Sequence, residues 1–163
     1  MPLFLSMYLW SIVAFFVHFY SLDKAVRTRD KAIELLLLYQ LVFSLGMTCL
    51  LAFIGLTVMP EYIASYTGWP SCPFQQELGN VNLAFGVLGL LCYWYRGNFW
   101  TATIIGFSVW ILGDGFHHIV EYFKHGNASP GNIGINLITD LSVPPILLVL
   151  LSLYKHPEHN TLK

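Results

Sequence analysis

Apolar residues fill five stretches of the chain with few interruptions, about residues 2–20, 33–58, 75–95, 98–123 and 134–154. Each is about 19 to 26 residues long, the length a helix needs to cross roughly 30 Å of hydrocarbon. The pattern predicts five transmembrane helices. The connection at Arg96-Gly97 is the tightest, which makes the third and fourth spans antiparallel neighbours. Pro144-Pro145 removes two backbone donors inside the fifth span and predicts a kink or break there. Small residues recur at intervals of four in Ser44, Thr48 and Ala52 of the second span and in Ala102 and Gly106 of the fourth. Gly79, Gly86 and Gly89 thin one side of the third. Such stripes let helices approach closely, within a chain or between copies in a homo-oligomer.

Composition removes the soluble alternative. The chain of 163 residues is 56% apolar and 10% charged, whereas a soluble domain is about 45–50% apolar and about 25% charged. The expected fold is one all-α polytopic bundle over residues 1–163 with the lipid bilayer as its surroundings. The first stretch lacks a basic leader and a small-residue cleavage site, so it reads as a retained span. The net charge of −1, with no basic stripe interleaved with aromatics, sets nucleic acid aside. Cys49, Cys72 and Cys92 lie at different depths, and no intrachain disulfide is expected. Lys24, Arg27, Arg29, Lys31, Arg96, Lys155 and Lys163 fall on one face of this bundle and only Lys124 on the other. The positive-inside rule then places the N-terminus outside, the tail in the cytoplasm, and loops 59–74 and 124–133 outside. Tyr62, Tyr66 and Trp69 suit an aromatic belt at the headgroups.

Ionisable groups at membrane depth cost about 2.5–3.5 kcal/mol each on insertion scales, so each needs a partner or a purpose. Asp114, His117, His118 and Glu121 share an arc of roughly 100° on the fourth span. Asn136 and Asp140 share a face of the fifth, and Glu77 and Asn80 a face of the third. The expected topology puts all three patches in the outer half of the bilayer. Asp114 lies roughly 10 Å deeper than Glu121 at about 1.5 Å per residue, so the patches outline a polar shaft opening outward. His18 belongs to the opposite end. Of the two adjacent histidines, His118 is favoured, being four residues from Asp114 and three from Glu121; it is also the partner expected for Asp140. Carboxylates and imidazole converging from separate helices suit a divalent or iron-type metal ion, with Glu77, His118, Glu121 and Asp140 as ligands. Asp114, Asn80 and Asn136 would complete a site for a small polar ligand. The blander reading is a buried hydrogen-bond network that locks the helices together.

The run Ser71-Cys72-Pro73-Phe74-Gln75-Gln76-Glu77-Leu78-Gly79 is followed by Asn82 and Gly86-Val87-Leu88-Gly89. Further on come Leu112-Gly113, His118-Ile119, Gly126-Asn127, Pro130-Gly131-Asn132, Gly134, Asp140 and Pro144. Over about residues 69–148 this series resembles an uncharacterised family of small multi-span bacterial membrane proteins. The resemblance implies a bacterial inner-membrane bundle without an established activity. It places weight on Glu77, His118 and Asp140, with an acid at Glu121; Gln76 and His117 depart from its pattern. Two other functions compete with ligand or metal binding: a proton-coupled carrier, which needs polar groups continuing inward where only Thr101, Thr103 and Ser108 stand, and an enzyme acting on a lipid or quinone. No nucleophile elbow, phosphate loop or haem-attachment motif names a reaction. Asn127-Ala128-Ser129 is followed by proline, and His125 to Gly134 reads as a tight turn.

Overall fold

Apolar runs of membrane-spanning length satisfy their backbone only by coiling on themselves, and the chain does so throughout. The computed structural model describes residues 2–155, with side chains from Leu5 onward; Lys163 lies outside the described residues. Among the described residues there is no strand. Helix α1 (Pro2–Ser21) leads through a short 3-10 turn to α2 (Arg29–Tyr39), whose N-terminus is capped by the Thr28 hydroxyl accepting from the Lys31 amide at 3.2 Å. α2 runs into a π-helical segment, Gln40–Met47, and then α3 (Thr48–Val58), making one continuous rod. α4 (Pro60–Thr67) has proline in its first turn and stops at Gly68, whose φ of 72° is a left-handed conformation. α5 (Phe74–Leu91), α6 (Asn98–His125), α7 (Pro130–Ile133) and α8 (Ile135–Leu153) complete the chain.

Three helical stretches are long and apolar enough to cross a membrane: Arg29–Val58, Asn98–His125 and Pro130–Leu153. The described apolar part of α1, Leu5–Ser21, is shorter. α5 has only 18 residues, and Gln75, Gln76, Glu77, Asn80 and Asn82 occupy its first half. α8 passes through Pro144 and Pro145 as one helix, and the interruption falls at Gly134 instead. The prolines nevertheless leave the carbonyls of Asp140 and Leu141 without helical donors.

Glycine decides which helices meet. A Cβ on Gly89 would stand 2.5 Å from Gly46 Cα and 2.8 Å from the Leu41 carbonyl, so α5 and the π segment cross backbone to backbone. Gly86 meets Leu50, and Gly79 meets Thr57. α5 therefore packs along α3 and the π segment, while α6 packs along α8. Despite the tight turn between them, α5 and α6 touch little. The core, with Leu35, Leu38, Leu41, Leu45, Trp100, Ile104 and Leu147 almost wholly buried, joins the rod to α6 and α8.

At one end of the bundle Glu34 accepts from both Lys31 Nζ and Arg96 Nη1 at 2.9 Å. Lys155 reaches Asp30 at 2.8 Å. These bonds gather the start of α2, the α5–α6 turn and the end of α8 on one face. His18 is near that end, with Nδ1 2.9 Å from the Tyr39 hydroxyl. α4 and α7 pack together at the opposite end.

Candidate functional site

Gly115 sets the geometry where α6 meets α8: a Cβ there would lie 3.3 Å from Asp140 Cβ and 3.0 Å from Leu141 Cδ2. Its absence brings His118 to Asp140, with Nε2 3.8 Å from Oδ2. His118 is buried at 8% exposure. On its other side, ring Nδ1 lies 2.7 Å from Oδ1 of the fully buried Asn132. The Asn132 amide nitrogen donates to the His118 carbonyl at 3.2 Å and the Asn127 carbonyl at 2.7 Å. This orientation leaves Oδ1 as an acceptor and assigns the hydrogen of the neutral ring to Nδ1. Nε2 is then an acceptor facing a carboxylate oxygen. Two acceptors so placed call for a donor between them, or a proton on the ring or on the carboxyl. Trp69 lies flat over the imidazole, with centroids 5.2 Å apart and planes 7° apart.

His118 and Asp140 open onto a cavity of about 210 Å³. Asp114, Asn136 and Thr139 join them on its polar wall, and Asn82 contributes from α5. Ser44, Thr48 and Ala52 line it from the rod, so this stripe of small residues leaves room for the cavity. Leu56, Phe107, Trp110, Ile111 and Val143 form apolar walls, and α4 adds Tyr62, Ile63, Tyr66 and Thr67 at its own end of the bundle. The hydroxyls of Ser44 and Tyr66 are buried without a hydrogen-bond partner. Burial pushes the Tyr66 phenol above its ordinary range, which keeps it a neutral donor.

The sequence model of a family of unknown function, DUF6790, matches residues 3–160. The chain belongs to DUF6790. No curated protein and no solved structure gives a significant match.

In this DUF6790 chain the four expected metal ligands do not form one shell. His118 and Asp140 are adjacent, but Glu77 is exposed in the first turn of α5 and Glu121 accepts from His125 Nδ1 at 3.0 Å, nearly a turn beyond His118. Among the described residues, no group of three or more His, Cys, Asp or Glu side chains is placed to hold a metal ion. Of the residues expected to bind a small ligand, Asp114 and Asn136 line the cavity, whereas Asn80 is exposed. The reason lies in the face α5 presents. Gly79, Asn82, Gly86 and Gly89 share one side of that helix, and packing the glycines against α3 turns Asn82 inward and Glu77 and Asn80 outward. His117 is exposed and meets only the edge of the site through Trp69, at 5.5 Å between centroids.

The residues missed by sequence reasoning are Asn132, Trp69, Tyr66, Ser44 and Asn82. The sequence suits Tyr66 and Trp69 to the headgroups; in the structure Tyr66 lines the cavity and Trp69 stacks on His118. Asn127 fastens that arrangement: its Nδ2 donates to the Thr67 carbonyl at 2.9 Å and its Oδ1 accepts from the Ser129 amide at 3.1 Å. Gly131 then abuts Tyr66, where a Cβ would stand 2.6 Å from the Tyr66 carbonyl. The glycine side of α5 was the available signal for Asn82; Asn132 stood in the Pro130-Gly131-Asn132 run, but α7 is a single short turn of helix with no periodicity to aim it.

Proposed function

We propose that this DUF6790 chain is an inner-membrane protein that takes a small polar ligand into an intramembrane cavity. In this reading it has five membrane-crossing segments, with the N-terminus outside and the Glu34–Arg96 end in the cytoplasm. The cavity and α4 then lie toward the outside. The observation that carries the proposal is the cavity itself: Asp114, His118 and Asp140 border it, and the buried Ser44 hydroxyl beside it has no protein partner. An unsatisfied buried polar group costs about 1–3 kcal/mol, which a polar ligand in the cavity would recover at Ser44.

The test is a thermal-shift screen of the full chain in lipid nanodiscs against small cationic, neutral and anionic polar compounds. Native protein is compared with Ala52→Phe, which fills the cavity from α3. A ligand of the native state raises its melting temperature through mass action, by about 2.7 kcal/mol of stability at a hundredfold excess over Kd. The expected result is at least one compound that stabilises native protein and leaves Ala52→Phe unmoved. A screen in which every compound shifts both equally would overturn the proposal.

A further inference from the structure

We infer that the ligand is a small organic cation, an amine carrying several N–H donors. This inference rests on the cavity reading above and adds to it the charge and hydrogen-bonding character of the occupant. It comes from the direction in which the lining spends its hydrogen bonds.

Each of the two asparagines in the wall spends one N–H on the backbone. Asn82 Nδ2 donates to the Leu78 carbonyl at 3.0 Å and Asn136 Nδ2 to the Gly131 carbonyl at 3.3 Å, so each retains its Oδ1 for the cavity. His118 gives its hydrogen to Asn132 and keeps Nε2 as an acceptor. Asp114 and Asp140 add two carboxyl groups, and no Lys or Arg lines the space. Thr139 and Thr48 likewise donate to carbonyls, of Asn136 at 2.8 Å and Phe43 at 3.3 Å. Acceptors and carboxyl groups thus dominate the side of the cavity formed by α5, α6 and α8, with no Lys or Arg in the lining, while the hydroxyls of Tyr8, Ser44, Tyr62 and Tyr66 border the rest.

An anion or an acceptor-rich neutral molecule would bring further acceptors against Asp114, His118 and Asp140. An ammonium group suits them: two of its N–H groups can reach His118 Nε2 and Asp140 Oδ2, which stand 3.8 Å apart, and the positive charge is set against the carboxylates. The apolar body of the amine meets Phe107 and Trp110, whose aromatic faces also attract cations. The Ser44 hydroxyl, buried at 1% exposure and unpartnered, supplies an acceptor lone pair or a donor to a polar substituent.

Three labelled probes of similar shape and different charge decide the matter: benzylammonium, benzyl alcohol and benzoate. Each is equilibrated by dialysis with native protein in nanodiscs, and the amount taken up by Ala52→Phe nanodiscs is subtracted to remove partition into lipid. Benzylammonium is expected to bind at least about tenfold more tightly than benzyl alcohol, a difference of about 1.4 kcal/mol. Benzoate is expected to bind most weakly. Asp140→Asn and Asp114→Asn should each weaken benzylammonium about tenfold and leave benzyl alcohol within about twofold. Equal binding of amine and alcohol, or tighter binding of benzoate, overturns the cation inference while the cavity reading stands. Uptake of all three equal to that of Ala52→Phe overturns both. The comparison among probes uses the native chain, so it holds even where an aspartate variant fails to fold.

Discussion

Asn132→Ala tests whether the His118 arrangement is held by the turn before α8. The native side chain is fully buried and makes three hydrogen bonds, one with the His118 ring, one to the His118 carbonyl and one to the Asn127 carbonyl. A protein hydrogen bond contributes about 0.5–1.5 kcal/mol net, and interhelical bonds in membrane proteins average about 0.6 kcal/mol. Three bonds therefore give about 2–4 kcal/mol, the lower figure applying where the freed carbonyls recover water at the bundle end. Reversible unfolding in mixed micelles, followed by circular dichroism, measures the loss. A double-mutant cycle with His118→Leu isolates the ring contact, and its coupling should be about 0.6–1.5 kcal/mol. Asn132→Asp separates the roles further: it retains an acceptor for Nδ1 but presents oxygen to two carbonyls, so it should destabilise while preserving coupling to His118. A loss under about 0.5 kcal/mol for Asn132→Ala, or no coupling, would refute the assignment of the ring hydrogen to Nδ1 and with it the acceptor pair at Asp140.

The remaining predictions concern glycine and the outward face of α5. Gly89→Ala should destabilise by about 1–3 kcal/mol through overpacking against Gly46, whereas Gly113→Ala, where a Cβ meets nothing within 4 Å, should gain up to about 1 kcal/mol from helix propensity; equal effects by the same unfolding assay would contradict the crossing. Gly68→Ala should cost about 1–2 kcal/mol for the left-handed backbone alone, with additional crowding against Ser129, and should detach Trp69 from His118, read as a changed tryptophan emission. Glu77→Gln should leave stability within about 0.5 kcal/mol and benzylammonium binding within about twofold, because Glu77 is exposed; a large loss of binding would return Glu77 to the site.

The helical class and three of the membrane-crossing lengths were legible in the sequence because each follows from local spacing, whereas the approach of His118 to Asp140 joins two helices and was expected only from the need of a buried acid for a partner. Asp114 and His118 share a helix face by arithmetic, and α8 brings Asp140 opposite them through Gly115. The placement of Glu77 was not legible. A first-turn acid and an inward ligand look alike until the partner of the glycine face is known, and that partner proved to be α3. Ser44, Thr48 and Ala52 show the same ambiguity: small residues serve a close crossing or a void, and only the position of neighbouring helices separates the two. The inward reach of Asn132 and Trp69 was not legible because a four-residue helix and a loop carry no usable period, and it depends on the chain reversals at Gly68 and Gly134.

The π-helical stretch has a consequence for how this chain tolerates change. Residues 40–47 wind through less angle per residue than an α-helix does, so the rotational phase of α2 is not continued into α3. The leucines at 35, 37 and 38 and the wall residues Thr48, Cys49 and Ala52 are aimed independently along one rod. Removing a single residue from that stretch would shift the phase by up to about a quarter turn. The wall would swing off the cavity with all of its side chains intact. Length in this segment thus matters to the cavity alongside the identity of Gly46, where α5 crosses it.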